Sequence, residues 1–206
     1  MVNTTDKSIR GVIPAILTPM DESGSVDYGL LEKQARYLSE AGVNGFFIGG
    51  TTAEGAYLST EEKGEIIRVV RGVIEADQFL CAAYIQPSTR AVLEEMAALR
   101  DTAPDFVVAV TPFYLPMRQE DIVDHYQLIA REASAPLLLY DIPGNTHNPI
   151  ALETILALAE EKNITGIKDS SGNFTQFSEG VLGDSPDGVL WIQGSDALDG
   201  PSLMIG

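Results

Sequence analysis

A lysine closes one of the apolar runs of this sequence, and its position suggests chemistry. Residues 164–167 are typical of a short buried strand, which ends in Lys168 and then breaks into the small polar residues 169–172. Lysine is seldom fully buried, and burial favours its neutral amine. A neutral amine in an apolar pocket can attack a ketone and form a Schiff base. The alternative is a lysine whose stem is buried while its ammonium group reaches solvent.

Polar and aromatic residues follow several other apolar runs in the same way. They are Gly50, Thr51 and Thr52 after the second run, Tyr114 after the fourth, Tyr140 at the end of the fifth, and Gly194 and Asp196 after the seventh. Glycine amides and threonine hydroxyls can together hold a carboxylate. A tyrosine near the lysine can carry protons while a carbinolamine forms and collapses. Singly, each residue is better explained by a loop, a helix cap or packing, but jointly they favour a site for a 2-keto acid.

The two histidines do not form a metal site. Neither His125 nor His147 has a partner at the spacing of metal ligands, and we expect no metal and no cofactor. His125 is interpreted as a helix-surface or core residue, whereas His147 falls in the loop after the fifth run and could touch a substrate. No Ser-His-Asp set and no phosphate-binding Walker loop is recognised in the sequence.

The elements that must position these groups alternate along the chain. Apolar, β-rich runs predict seven strands, over residues 11–17, 43–48, 79–85, 106–110, 136–140, 164–168 and 189–193. Amphipathic runs predict helices over residues 27–41, 59–76, 88–100, 119–133, 150–162 and 174–181, with the start of a seventh at 203–206. Ser59 with Glu62 three residues later predicts a capping box at the start of the second helix.

Strict βα alternation predicts a parallel sheet with right-handed crossovers. We interpret it as a (β/α)8 TIM barrel in one domain over residues 1–206, with about seven βα units present. An open sheet remains the alternative, although no Gly-x-Gly-x-x-Gly turn follows the first strand. Barrels of this kind usually have ~250 residues, so we expect the chain to lack its C-terminal part. In such a barrel the chemistry lies at the C-terminal ends of the strands, where the polar groups above all fall.

Composition restricts the compartment and the partners. The 206 residues are 45% hydrophobic, and the one cysteine, Cys81, leaves no possible disulfide within the chain. No secretion signal is recognised, and no apolar segment approaches the ~20 residues of a membrane helix. These features predict a soluble cytoplasmic protein.

The charge balance is strongly acidic. Thirty Asp and Glu residues stand against thirteen Lys and Arg, which gives a formal net charge of −17. Such a field excludes nucleic acid and anionic membranes as partners. The acids are scattered along the predicted helices, which is typical of a solvated surface. Adaptation to high salt is the second interpretation, because screening tolerates dense like charge.

Three motifs stand out at the ends of the predicted strands: Gly50-Thr51-Thr52-Ala53-Glu54, Tyr140-x-x-Pro143 and Gly166-Ile167-Lys168-Asp169. They resemble the signatures of the dihydrodipicolinate synthase / N-acetylneuraminate lyase family of pyruvate-dependent class I aldolases, and residues 11–19, 110–114 and 194–196 match as well. The resemblance extends over essentially the whole chain. It implies a (β/α)8 barrel with a C-terminal helical extension, usually assembled as a homotetramer.

The same resemblance implies roles for individual residues. Lys168 would form the Schiff base with pyruvate, and Tyr140 would relay protons. Thr51 and Thr52 would bind the pyruvate carboxylate. Tyr114 would join the relay, in some members from a neighbouring subunit.

Two departures from the family motifs bear on the second substrate. Synthase members typically have an arginine two residues after the proline of Tyr-x-x-Pro, where this chain has Asn145. Sialic acid lyases usually have a glutamate after the aspartate of the strand-seven motif, where Ala197 follows Asp196. Asn145, with its neighbours Thr146 and His147, suits a neutral polyhydroxyl partner.

We therefore expect an aldolase that acts on pyruvate and a 2-keto-3-deoxy sugar acid, close in character to 2-keto-3-deoxygluconate aldolases. The runner-up within the family is a 4-hydroxy-tetrahydrodipicolinate synthase, which uses aspartate semialdehyde, or a sugar-acid dehydratase. A barrel that binds a small molecule without turnover is the alternative from a different functional class.

Overall fold

The computed structural model describes residues 9–183, 185–186 and 188–206. The described residues form two compact units. The first consists of the residues up to Ile85 together with Ala97–Phe106, and the second consists of Gln86–Met96 and Val107–Gly206. The single domain over residues 1–206 stays a prediction.

Parallel strands alternate with helices along the described chain, as βα alternation predicts. The strands are β1 (Gly45–Ile48), β2 (Phe79–Tyr84), β3 (Phe106–Val110), β4 (Leu137–Asp141), β5 (Ile164–Asp169) and β6 (Leu190–Gln193). The α-helices are α1 (Tyr28–Glu40), α2 (Thr60–Arg71), α3 (Thr89–Ala98), α4 (Gln119–Glu132), α5 (Pro143–Thr146), α6 (Leu152–Ala159), α7 (Phe174–Leu182) and α8 (Asp199–Ile205). Two short 3-10 helices cover Arg100–Thr102 and Asp196–Leu198.

In the first unit, β1 and β2 pair in parallel from Gly45 opposite Phe79 to Ile48 opposite Ala82. The segment predicted as a first strand, residues 11–17, lies beside β1 without forming a full strand, and its pairing is an isolated parallel bridge between Ala15 and Phe47. The Asn44 N–H donates to the Val12 carbonyl, the Phe47 N–H to the Pro14 carbonyl, and the Ile16 N–H to the Phe47 carbonyl. Proline at position 14 has no N–H to donate, which shortens the ladder on this segment. The described part of the chain therefore has six strands where seven were predicted.

In the second unit, the strands pair in parallel and in chain order from β3 to β6. The strands and α4 supply most of its largest fully buried side chains: Tyr126, Ile122, Ile129, Leu137, Leu138 and Leu139. The register sets Tyr140 of β4 beside Lys168 of β5, and Lys168 beside Ile192 of β6. The register of these strands therefore determines which side chains lie side by side at the strand ends.

The helix ends follow the local sequence signals. Ser59 accepts a hydrogen bond from the Glu62 N–H, and the Glu62 carboxylate accepts one from the Ser59 N–H, which confirms the predicted capping box. Helix α5 was not predicted. It is a single turn with Pro143 in its first turn, where a missing N–H costs nothing. None of the helices in the described ranges is long and apolar enough to span a membrane.

Candidate active site

Lys168 and Tyr140 meet at the C-terminal ends of two adjacent strands. They are register partners in the β4–β5 pair, so both side chains lie on the same face of the sheet. The Lys168 Nζ lies 4.4 Å from the centroid of the Tyr140 ring, a cation–π distance. Tyr140 is 3% exposed, and Lys168 is half-buried. The amine is thus placed against a buried phenol ring instead of extending freely into solvent.

Gly194 lies beside the lysine, directly after β6. Its N–H donates to the Asp169 carbonyl at 2.8 Å. A Cβ at this position would lie 3.1 Å from the Lys168 Cε and would collide with the Ser170 Oγ. Glycine therefore leaves room for the lysine stem at a place where any larger residue would crowd it. Asp196, the other residue predicted in this segment, is exposed and begins a 3-10 helix.

Asn145 and His147 lie in the segment that follows β4, the strand that carries Tyr140. Both side chains are exposed. Asn145 is in α5, and His147 ends that helix in the left-handed conformation with φ 60°. The structure thus places both residues on a surface turn within a few residues of Tyr140, and their contact with a substrate stays a prediction.

Asn148 is a positioning residue that the sequence analysis did not single out. Its buried amide donates to the carbonyls of Pro112 at 2.7 Å and Leu115 at 2.9 Å, and its Oδ1 accepts from the Met117 N–H at 2.8 Å. Its own carbonyl accepts from the Thr111 hydroxyl at 2.9 Å. One side chain therefore ties the segment after β3 to the segment after β4. An asparagine between a predicted loop and a predicted helix was its only sequence signal.

Tyr114 lies in the segment that Asn148 holds, but its own ring is 91% exposed. Its backbone has φ 81°, which is uncommon for a residue with a side chain and is often found at functional positions. Almost none of the ring is covered by the described residues. Its role in a proton relay stays a prediction.

The predicted carboxylate-binding turn lies in the first unit, after β1. The Gly55 N–H donates to the Gly50 carbonyl at 2.9 Å, and the Thr18 hydroxyl donates to the Ala53 carbonyl at 2.8 Å. A Cβ at Gly50 would collide with the ring of Phe47, so this tight turn requires glycine there. The turn leaves Thr51 and Thr52 exposed, with hydroxyls available to an anion.

His125 is a neutral core residue. Burial lowers its pKa to about 4, while its hydrogen bond to the Val110 carbonyl opposes that shift. Its Nε2 lies 3.0 Å from that carbonyl and donates to it, so Nδ1 accepts from the Thr89 hydroxyl at 2.8 Å. Over the ranges that the structure describes, no group of three or more His, Cys, Asp or Glu could hold a metal ion.

Two buried carboxylates were not predicted from the sequence. Both lie in motifs in which only the preceding residue was assigned a role. Asp141 follows Tyr140 and Asp169 follows Lys168, and each is the last residue of its strand. Burial raises the pKa of Asp141 to about 7, the hydrogen bond from the Ile150 N–H lowers it, and the charge of Asp169 raises it. Burial therefore favours the protonated form of Asp141.

Comparison with known proteins places this geometry in a family. The 4-hydroxy-tetrahydrodipicolinate synthase of Synechocystis is 36% identical over 196 residues, which cover 95% of this chain and 65% of that protein. The structure of the chloride-inhibited dihydrodipicolinate synthase of Acinetobacter baumannii, complexed with pyruvate, matches with a TM-score of 0.91 and 34% identity, over 96% of this chain and 68% of that one.

A 2-keto-3-deoxygluconate aldolase from Picrophilus torridus matches with a TM-score of 0.86 and 30% identity, over 95% of this chain and 70% of that one. The chain spans about two thirds of the length of these relatives. The model of the dihydrodipicolinate synthetase family matches residues 8–206. The family-level resemblance read from the motifs is confirmed, and the chain belongs to the dihydrodipicolinate synthetase family.

Proposed function

We propose that this protein is a metal-independent lyase that binds pyruvate as a Schiff base on Lys168. The observation that carries the proposal is the placement of the Lys168 Nζ 4.4 Å from the centroid of the Tyr140 ring. Imine formation requires a nucleophilic amine and a group that transfers protons, and a lysine beside a tyrosine at a strand end can supply both.

The chemistry runs through these two residues. The neutral Lys168 amine attacks the carbonyl carbon of pyruvate, and the resulting carbinolamine loses its hydroxyl as water after Tyr140 supplies a proton. The protonated imine withdraws electrons from the adjacent methyl carbon, which loses a proton to give an enamine. The enamine carbon then attacks an aldehyde and forms a carbon–carbon bond, and the aldehyde oxygen takes up a proton. Water hydrolyses the regenerated imine, which releases the 2-keto acid and the Lys168 amine. The reverse sequence cleaves a 2-keto acid into pyruvate and an aldehyde.

The pyruvate carboxylate is assigned to the turn after β1. Thr51 and Thr52 expose hydroxyls there, and Gly50 permits the tight turn that presents them.

The aldehyde partner is proposed to be a neutral, polyhydroxyl compound, so the full substrate is a 2-keto-3-deoxy sugar acid. Asn145 and His147 are exposed on the turn after β4 and provide hydrogen-bonding groups. The solved aldolase from Picrophilus torridus supports this assignment. The second candidate is a 4-hydroxy-tetrahydrodipicolinate synthase, because that is the name of the Synechocystis relative.

Tyr114 supports a homotetramer, the assembly that the family resemblance implies. An aromatic ring that is 91% exposed on a turn after β3 is suited to contact a neighbouring subunit. Sedimentation velocity checks this, and a monomeric mass would contradict it. A cytoplasmic location stays a prediction from the sequence.

Borohydride reduction in the presence of pyruvate tests the proposal. We expect a stable mass gain of one reduced pyruvate, which peptide mapping places on Lys168. Replacement of the exposed Lys162 by arginine is the matched control and should leave the adduct unchanged. An unmodified protein would contradict the Schiff-base assignment and favour a barrel without turnover.

A panel of aldehydes, assayed with pyruvate, then separates the two substrate assignments. A sugar-acid aldolase should turn over glyceraldehyde faster than aspartate semialdehyde. The opposite order would favour the synthase.

A further inference from the structure

The two buried carboxylates next to Tyr140 and Lys168 in the sequence have no part in the proposed reaction. Asp141 and Asp169 are register partners at the ends of β4 and β5, and they are 1% and 2% exposed. Successive side chains of a strand point to opposite faces, so both carboxylates lie on the face opposite Tyr140 and Lys168. Register partners on adjacent strands are about 4.8 Å apart at the backbone, which brings the two carboxyl groups close together.

Each carboxylate uses only one of its two oxygens. The Asp141 Oδ1 accepts from the Ile150 N–H at 3.2 Å, and the Asp169 Oδ1 accepts from the Ser171 N–H at 2.7 Å. The Oδ2 atoms of both residues are buried and have no hydrogen-bond partner in the described part of the chain. Two ionised carboxylates in this setting would leave both charges uncompensated, which is costly in a protein interior.

The surroundings of the two acids lack a positive charge among the residues that the structure describes. The titratable groups that face Asp141 are Asp169 from β5 and the phenol of Tyr126 from α4, and the segment before α6 presents the Ile150 N–H. The Tyr126 hydroxyl donates to the Ala109 carbonyl at 3.0 Å. Within the described ranges, neither aspartate forms an ion pair with a lysine or an arginine. A proton is the simplest group that would satisfy both free oxygens, because a carboxylic acid can donate to a carboxylate.

We propose that Asp141 and Asp169 share one buried proton, which bridges their free oxygens and holds the ends of β4 and β5 together. This inference rests on the proposed function for its consequence. The bridge fixes the spacing between the strand positions that carry Tyr140 and Lys168 on the opposite face. Asp141 and Asp169 are thus positioning residues that act through their neighbours and do not touch the substrate.

The shared proton makes stability depend on pH with a definite sign. The unfolded chain loses this proton near the ordinary aspartate pKa of 3.8, whereas burial holds the pKa of Asp141 in the folded chain at about 7. The folded state therefore binds more protons between these values, and its stability falls as pH rises from about 4 to about 7. Above that range both carboxylates are charged and repel each other across the strand ends.

Replacement of Asp141 by asparagine reproduces the protonated state at every pH, because the amide can donate to Asp169 and accept from Ile150. We expect the folding equilibrium constant of Asp141→Asn, relative to the unaltered protein, to rise by up to about tenfold per pH unit between about pH 4 and pH 7 and then level off. Chemical denaturation across this range measures it. Asp124→Asn, an exposed change on α4, is the matched control and should show no such rise.

Two further measurements complete the test. Asp169→Asn should show a rise of the same sign, because the new amide can donate to the free oxygen of Asp141 and stabilise that carboxylate where the unaltered protein holds the shared proton. This second variant keeps the test open if Asp141→Asn does not fold. In the unaltered protein, the infrared band of a protonated carboxyl group should be present at about pH 6 and lost by about pH 9. The absence of that band, or a stability difference that does not change with pH, would overturn the shared proton.

The positioning role has its own readout. The rate of pyruvate trapping by Asp141→Asn, divided by that of the unaltered protein, should rise as pH passes through about 7, because only the unaltered protein gains a repelling charge pair. A ratio independent of pH would overturn the positioning role. Complete absence of trapping in the unaltered protein would instead contradict the proposed function, while the stability and infrared measurements still decide the shared proton.

Discussion

Two tyrosines that the sequence assigned to one proton relay lie in opposite settings. Tyr140 is at the end of β4 and 3% exposed, whereas Tyr114 is on the turn after β3 and 91% exposed. The first is placed by the register of two strands, which also sets the lysine beside it. The second is on a turn held by the hydrogen bonds of Asn148. The sheet alone therefore positions the Tyr140 side chain for its proposed role. The Tyr114 side chain would need a further contact, outside the described residues, to bury its ring.

The largest effect should come from the strand ends. Lys168→Arg should abolish lyase activity and leave the fold intact, because arginine keeps the charge but does not deprotonate, and so cannot attack a ketone. Activity assays beside circular dichroism measure the two properties separately. Turnover above trace level in a folded variant would show that the amine at this strand end is not the nucleophile.

The next test compares the two tyrosines directly. Tyr140→Phe should slow turnover by about 10²–10⁴-fold, the usual range for a lost general acid–base group. The KM for the keto acid should change less, because the carboxylate is assigned to Thr51 and Thr52. Tyr114→Phe in parallel serves as the comparison. If Tyr140→Phe turns over at a near-normal rate and Tyr114→Phe does not, the relay belongs to the exposed turn.

A smaller effect is expected where Asn148 joins the two turns. Asn148→Ala removes buried hydrogen bonds to Pro112, Leu115 and Met117, and should lower the free energy of unfolding by about 1–3 kcal/mol. Chemical denaturation measures it, with exposed Asn145→Ala as the control. The rate of turnover with the aldehyde should fall more than the rate of pyruvate trapping, because the position of Lys168 does not depend on these turns. Equal stability of the two variants would show that the turns are held by other contacts.

The strands and most of the helices could be predicted because their signals are local. Residues 106–110 and 164–168 contain more apolar residues than a typical loop, which predicted strands there. Ser59 and Glu62 predicted the start of a helix. The first predicted strand is present only as a short bridged segment beside β1, because an apolar run alone does not show that Pro14 limits its pairing. Helix α5 escaped because a single turn has no periodicity to read.

For the site, the sequence indicated the pair of Tyr140 and Lys168, since strand ends of a parallel sheet collect at one edge. It did not indicate Asn148, Asp141 or Asp169. Their importance comes from partners that are distant in the chain or on the next strand, and no spacing along one segment reports it. Only the folded structure shows which of their buried polar atoms have hydrogen-bond partners and which do not.

The smallest effect is expected from salt, which distinguishes exposed charges from buried groups. Salt screens exposed charges strongly and buried groups much less. The net charge of −17 includes only five lysines, and the pairs Arg36–Glu32 and Arg68–Glu65 are exposed, so they offset little of the repulsion. If the acidic surface is an adaptation to salt, the thermal unfolding midpoint should rise between ~0.1 M and ~1 M potassium chloride, as the Debye length falls from ~10 Å to ~3 Å. Sucrose at equal osmolality is the control, since it does not screen. Pyruvate trapping per folded molecule should change less than the midpoint, because the Lys168 amine is half-buried against a buried ring. A midpoint that is flat or falls in salt would leave the acids as an ordinary solvated surface.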